Sequence, residues 1–224
     1  MNYSVLHIGK TGGTAIREAL KNVSTEIGGV RVFRHGQTFK KNIKEYPESK
    51  VMFGIREPLS WFVSAFNSRA REGRPAYINP HNPLEKIAFD IFSTPNDLAE
   101  SLSSTDLNVR KLGEFSMHGI FHVDRCLKYY LHSRDFVKKN SNYIEYIWTQ
   151  ETLEEDFYMI KKLLQVDDGS RLPDDDVLRH KTPSSMSTHL SDKAKRNLYN
   201  WYSQDYDIYN ECLDIRERIL ESAR

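Results

Sequence analysis

The chain has 224 residues, 39% hydrophobic and 28% charged, a length and composition that suit one domain with a sizeable core. Its 32 basic and 31 acidic side chains nearly cancel to a formal charge of +1, which excludes a bulk electrostatic case for nucleic acid or an anionic membrane and makes any anion site local. No apolar run is long enough to span a bilayer, the stretch from Met1 to Ile8 lacks the basic and apolar regions of a signal peptide, and the isolated Cys126 and Cys212 read as reduced core residues; a cytoplasmic protein without membrane insertion is expected.

In chain order, Tyr3 to Ile8 alternates as a strand does, Gly9 to Gly13 is a glycine-rich turn, and Ala15, Ile16 and Leu20 then recur at helical spacing. Val30 to Phe33 reads as a second strand and Lys50 to Ile55 as a third, which ends at Arg56. Pro58 suits the first turn of a helix, and Leu59, Phe62, Val63 and Phe66 predict that this helix is amphipathic. From Glu72 to Asp124 the prolines at 75, 80, 83 and 95 leave room for short helices only. Tyr143 to Thr149 reads as a buried strand, Leu153 to Leu164 as a helix, 167–188 as a polar loop, and Ser191 onwards as helical. Alternating strands and helices predict an α/β chain: a three-layer, P-loop-like fold with a central, mostly parallel sheet flanked by helices. The whole of 1–224 is expected to be one domain, with about 72–140 a mostly helical insertion that shapes an acceptor pocket.

The segment His7-Ile8-Gly9-Lys10-Thr11-Gly12-Gly13-Thr14 carries the strongest chemical signal. A strand that feeds a glycine loop and then a helix aims backbone N–H groups at one point, and the helix start adds partial positive charge. Lys10 adds a full charge, Thr11 and Thr14 add hydroxyls, and Gly12 and Gly13 let backbone approach an anion closely. The set fits a phosphate or sulfate; the competing explanation is a plain glycine turn with a solvated lysine. The spacing is not that of a Walker A loop, because the lysine precedes the glycine pair. A second strand–turn–helix, Phe53 to Phe66, sets Arg56 at the carboxyl end of a strand, where open α/β sheets bind ligands. The planar fork of Arg56 suits a terminal phosphate, and Ser64 can reach the same anion; an ordinary Arg56–Glu57 surface pair is the alternative.

The first motif resembles the 5′-phosphosulfate loop of the sulfotransferases that use 3′-phosphoadenosine-5′-phosphosulfate (PAPS), in the form common among carbohydrate sulfotransferases. The second resembles their 3′-phosphate motif, R-[DE]-P and an aromatic followed by V-S-A-[FY]. Trp148 to Leu153 resembles the family's E-x-L segment, and Ser203 to Tyr209 its C-terminal helix, while about 72–140 lies outside the resemblance. Gly9 stands where proline is common and Gly12 where a small residue is, and neither change removes a donor.

The resemblance implies PAPS as cofactor, adenosine 3′,5′-bisphosphate as product, and no metal. It implies that Lys10, Thr11, Gly12, Gly13, Thr14 and Ala15 hold the 5′ end, with Lys10 neutralising charge on the leaving oxygen, and that Arg56 and Ser64 hold the 3′-phosphate. Lys181 and Ser184, in the late polar loop, are expected to touch the nucleotide. His35, in Arg34-His35-Gly36, is the expected general base, with Glu26 or Glu45 as substitute. His7 is expected to hydrogen-bond the loop backbone, His118 and His122 not to bind zinc, and the aromatics from Trp201 to Tyr209 to be core. Arg69, Arg71 and Arg74 read as a solvated basic stretch or as contacts to an anionic acceptor. The expected partner is a hydroxyl-bearing acceptor, a glycan or a small molecule, and the oligomeric state is open. A nucleotide-dependent phosphotransferase and a non-catalytic nucleotide- or glycan-binding module are the competing readings.

Overall fold

The computed structural model describes residues 2–21, 29–166, 169–175 and 182–222. Four strands carry it: β1 (Asn2–Leu6), β2 (Val30–Val32), β3 (Ser49–Ile55) and β4 (Ile144–Thr149). They form one sheet in the order β2-β1-β3-β4 with every pair parallel. The order reverses between β1 and β3, so the chain leaves these neighbours in opposite directions and opens a crevice beyond their carboxyl ends. Register pairs Leu6 with Phe53, which puts the residues after β1 beside those that end β3.

Helices cover both faces of the sheet, as expected for parallel strands. On one face α1 (Gly13–Ala19) and α10 (Leu153–Leu164) bury Ala15, Ile16, Phe157, Ile160 and Leu164 against Val5, Met52, Tyr146 and Trp148. On the other, Phe39 of α2 (Phe39–Glu45) meets Phe53 of β3 at 6.0 Å and Phe136 of α9 (Arg134–Lys139) at 5.8 Å between ring centroids. The helix α2 was not expected. It is short, only Phe39 and Asn42 on it are buried, and its other residues include three lysines, so the sequence offers no apolar stripe to read.

The chain divides into two compact units. The first, 1–56 with 127–179 and 207–224, holds the sheet. The second, 57–126 with 180–206, is helical among its described residues: α3 (Pro58–Ala70), α4 (Pro83–Ile91), α5 (Pro95–Ser101), α6 (Leu107–Gly119), α7 (Phe121–Asp124) and α11 (Asp192–Trp201). The short α8 (Leu127–Leu131) belongs to the first unit, and α12 (Ser203–Ser222) starts in the second and ends in the first. Pro58, Pro83 and Pro95 each open a helix, behind Glu57, Asn82 and Thr94 as caps, so these prolines start helices as much as separate them. After Pro95 no proline intervenes before 173, and α6 reaches 13 residues, longer than the short helices expected here.

Two expectations for the second unit need correction. The helix α3 is not one-sided: Pro58, Leu59 and all of 61–69 are buried, because it packs against α5, α7 and α11. Arg69 is neither solvated nor free for an acceptor. It is 2% exposed and forks onto Glu85 at 2.6 and 2.7 Å, with further bonds to the carbonyls of Asn79 and Pro80. Burial alone would raise the Glu85 carboxyl, but the Arg69 fork and the backbone N–H groups of Asn82 and Phe121 hold it below its ordinary value. Arg74 is exposed and pairs with Glu72 at 3.1 Å. Of the late aromatics, Tyr202 is core, packed on Trp61 and Phe62 with its hydroxyl donating to Val123 O at 2.9 Å, whereas Tyr199 is half exposed.

Candidate active site

The glycine loop runs from the end of β1 into α1 at the crevice of the first unit. Two of its residues are left-handed, Lys10 at φ 66° and Gly12 at φ 82°. A lysine in that region costs ~1–2 kcal/mol, and such local strain points to a functional constraint. Left-handed residues inside a turn fold successive N–H groups towards a common concavity that suits an anion. Gly12 is also the N-cap of α1. It supplies no side-chain cap, and the first turn holds no acidic residue, so the positive end of the helix is not neutralised locally.

The loop is closed from within by Thr11, which is fully buried and donates its hydroxyl to Ile8 O at 2.9 Å. With that proton committed, a Thr11 contribution to an outside anion comes from its backbone N–H. Thr14 is half-buried at the start of α1, and Ala15 is buried beneath it.

Arg56 reaches this loop directly, and His35 meets His7, which precedes it. Arg56, at the end of β3, donates from Nη1 to Lys10 O at 3.3 Å. The Glu57 carboxylate caps α3, accepting from Leu59 N–H at 3.2 Å and Ser60 N–H at 2.7 Å. His35 stacks on His7 with ring centroids 3.9 Å apart and planes inclined by 35°. His7 is itself buried, and its ring lies over Gly13 in the space a side chain there would need. His35 is exposed, and its ring rests against that of His7.

Each of the other expected residues that the structure describes is placed within its own unit. Ser64 is buried in the second turn of α3 and Ser184 is exposed in the segment after 182, both in the second unit. Lys181 and Glu26 lie outside the described residues. Glu45 ends α2, where it accepts from Gln37 at 3.0 Å. His118 pairs with Asp124 at 3.1 Å, and among the described residues no cluster of His, Cys, Asp or Glu is arranged to hold a metal. No helix among them is long and apolar enough to cross a membrane.

A family model described as the sulfotransferase family matches residues 4–210. The chain belongs to that family. It is a PAPS-dependent sulfotransferase on an α/β fold, which sets aside the phosphotransferase reading. No curated protein and no solved structure matches it.

The chemistry of these residues suits a nucleotide whose ribose carries anionic groups at both its 3′ and 5′ positions. The uncapped α1 and the left-handed turn offer backbone donors, Lys10 stands within that turn, and Arg56 brings a guanidinium to the Lys10 carbonyl. Sequence reasoning did not single out Gly54 or Trp148 as supports for the loop, nor the contact between His7 and His35. The only signal for Trp148 was its place in the E-x-L segment.

Proposed function

We propose that this sulfotransferase transfers the sulfuryl group of PAPS to a carbohydrate hydroxyl, with His35 as general base. Lys10 to Ala15 would hold the 5′ end, Arg56 and Ser64 the 3′-phosphate, and Ser184 and Lys181 would add nucleotide contacts. The observation that supports this reading is the contact of exposed His35 with His7, whose ring lies over Gly13 of the glycine loop.

PAPS supplies the sulfuryl group and a phosphate leaving group. The chain's own part is to orient and to move one proton. His35 takes the hydroxyl proton on a ring nitrogen as the acceptor oxygen attacks. The Lys10 ammonium and the loop N–H groups face the charge that grows on the departing phosphate, preorganised before reaction. Arg56, with its fork, reads the 3′-phosphate, the group that separates PAPS from ATP. A carbohydrate acceptor is supported by the form of the two motifs and by a family that includes carbohydrate sulfotransferases. Cys126 and Cys212 are buried and not joined in a disulfide, which suits a reducing compartment such as the cytoplasm.

Calorimetry with adenosine 3′,5′-bisphosphate, AMP and ATP tests the cofactor assignment: the bisphosphate should bind best, and equal or tighter ATP binding overturns it. Turnover of radiolabelled PAPS against oligosaccharides, small alcohols and tyrosyl peptides tests the acceptor. Sulfation of the peptides alone would refute the carbohydrate reading.

A further inference from the structure

The glycine loop does not hold its shape alone. Trp148, the second-last residue of β4, donates its indole N–H to Thr11 O at 2.8 Å across 137 residues of chain, in a fully buried bond. The two meet above Gly54, the β3 residue paired with Trp148. A Cβ there would overlap the indole and lie 2.8 Å from Thr11 O, so a glycine is what allows indole, loop carbonyl and strand to share one place. One residue along the loop, a Cβ on Gly12 would come within 2.8 Å of Leu153 and 3.5 Å of Gln150. The segment 148–153 therefore touches the loop at both Thr11 and Gly12.

That segment is fixed in turn by a buried carboxylate. Asp156, 2% exposed, accepts from Thr149 N–H at 2.9 Å, the Thr152 hydroxyl at 2.7 Å, the Tyr146 hydroxyl at 2.6 Å and Arg216 at 2.7 Å. Arg216 also donates to Ile147 O at 3.1 Å and to Thr152 at 3.1 Å, so α12 locks the end of β4 to the start of α10. A buried carboxylate with all these donors is costly to disturb and holds its partners in one geometry. Burial and the Asp156 hydrogen bond push the Tyr146 phenol well above its ordinary value, which keeps it a donor.

The geometry points to Trp148 as a positioning residue for sulfuryl transfer: through Thr11 it sets the register of the Lys10–Thr14 N–H groups, and the Asp156–Arg216 pair holds Trp148 in place. This rests on the reading that the loop holds the 5′ end of the cofactor. A Thr11 carbonyl fixed from behind turns the following N–H groups towards the concavity, and a few tenths of an ångström there decide how well they meet a developing charge.

Three variants test it: Trp148→Phe keeps the ring bulk and removes the N–H, Leu153→Ala removes the contact over Gly12, and Leu164→Ala, in the same core at the far end of α10, serves as a control for lost stability. Trp148→Phe and Leu153→Ala should each raise the KM for PAPS and the Kd for adenosine 3′,5′-bisphosphate about fivefold to tenfold. Leu164→Ala should lower Tm and leave both constants within about twofold of wild type. If one of the two loop-side variants does not fold, the other decides. If the folded loop-side variants bind the bisphosphate as wild type does, or if Leu164→Ala shifts the constants equally, the brace is overturned while the functional reading stands. If wild type itself fails to bind the bisphosphate, both fall.

Discussion

Two corners of this protein have the same plan, a parallel strand that ends in a tight turn and feeds a helix, yet they finish their helix starts in opposite ways. At β1–α1 the N-cap is Gly12, no side chain caps the helix and no acid occupies its first turn. At β3–α3 the N-cap is Glu57, whose carboxylate takes the N–H groups of Leu59 and Ser60, and Pro58 removes a further donor. Tyr206 adds its hydroxyl to the same carboxylate, and its phenol is pushed far above the usual range by burial and by that bond. The first corner has no side-chain acceptor of this kind, and in the proposed function its donors serve the anionic end of PAPS. The second satisfies them internally, so an anion there must be held by side chains such as Arg56. The lesson is that strand–turn–helix topology makes an anion site available, and the capping residue decides whether it is kept open.

The widest effect expected from this contrast lies in the chemistry at the first corner. His35→Ala should lower kcat by roughly 10²–10⁴ while the Kd for adenosine 3′,5′-bisphosphate stays within about twofold, read by PAPS turnover and calorimetry. Full activity would remove His35 as the base. At the second corner, Arg56→Lys keeps the charge and loses the fork. It should weaken bisphosphate binding roughly 10–100-fold, as the loss of about 1.5–3 kcal/mol of charged hydrogen bonding implies, and weaken AMP binding less.

Closing the open corner is the sharpest way to break the comparison. Thr14→Asp puts a carboxylate in the first turn of α1, where it should hold or raise Tm by its favourable ~0.3–1 kcal/mol with the helix start, yet weaken bisphosphate binding at least about tenfold. Unchanged binding would mean that the open helix end is not used. Opening the closed corner is the converse and the smallest effect: Glu57→Ala should cost about 1 kcal/mol of cap, a Tm lower by ~2–4 °C, and Tyr206→Phe somewhat less. A Tm loss without a change in bisphosphate affinity would confirm that this helix start serves stability alone.

Much of this was legible in local sequence. β1, the glycine loop, β3, the Pro58 helix start, β4 and α10 announce themselves through period, glycine, proline and capping chemistry, signals that act within a turn or two of chain. The sequence order of the two motifs also suggested that they belong together, and the sulfotransferase family was readable from their residues. The short α2 was not readable, because Phe39 is its one buried apolar side chain and the strands of the first unit, not a stripe of its own, give it a place to pack.

The tertiary structure alone decided how these pieces meet. The parallel order β2-β1-β3-β4 puts the ends of β1 and β3 side by side, which brings Arg56 to the carbonyl of Lys10, 46 residues away. It decided that Arg69 is consumed by Glu85, that Thr11 turns its hydroxyl inward, that His35 rests on His7, and that Trp148 props the loop. Side-chain type and spacing set what each residue is able to bind. Which partner it meets depends on sheet register and on the burial of residues far apart in the chain, and those follow from the packing of the whole first unit or the whole second rather than from any stretch of neighbours.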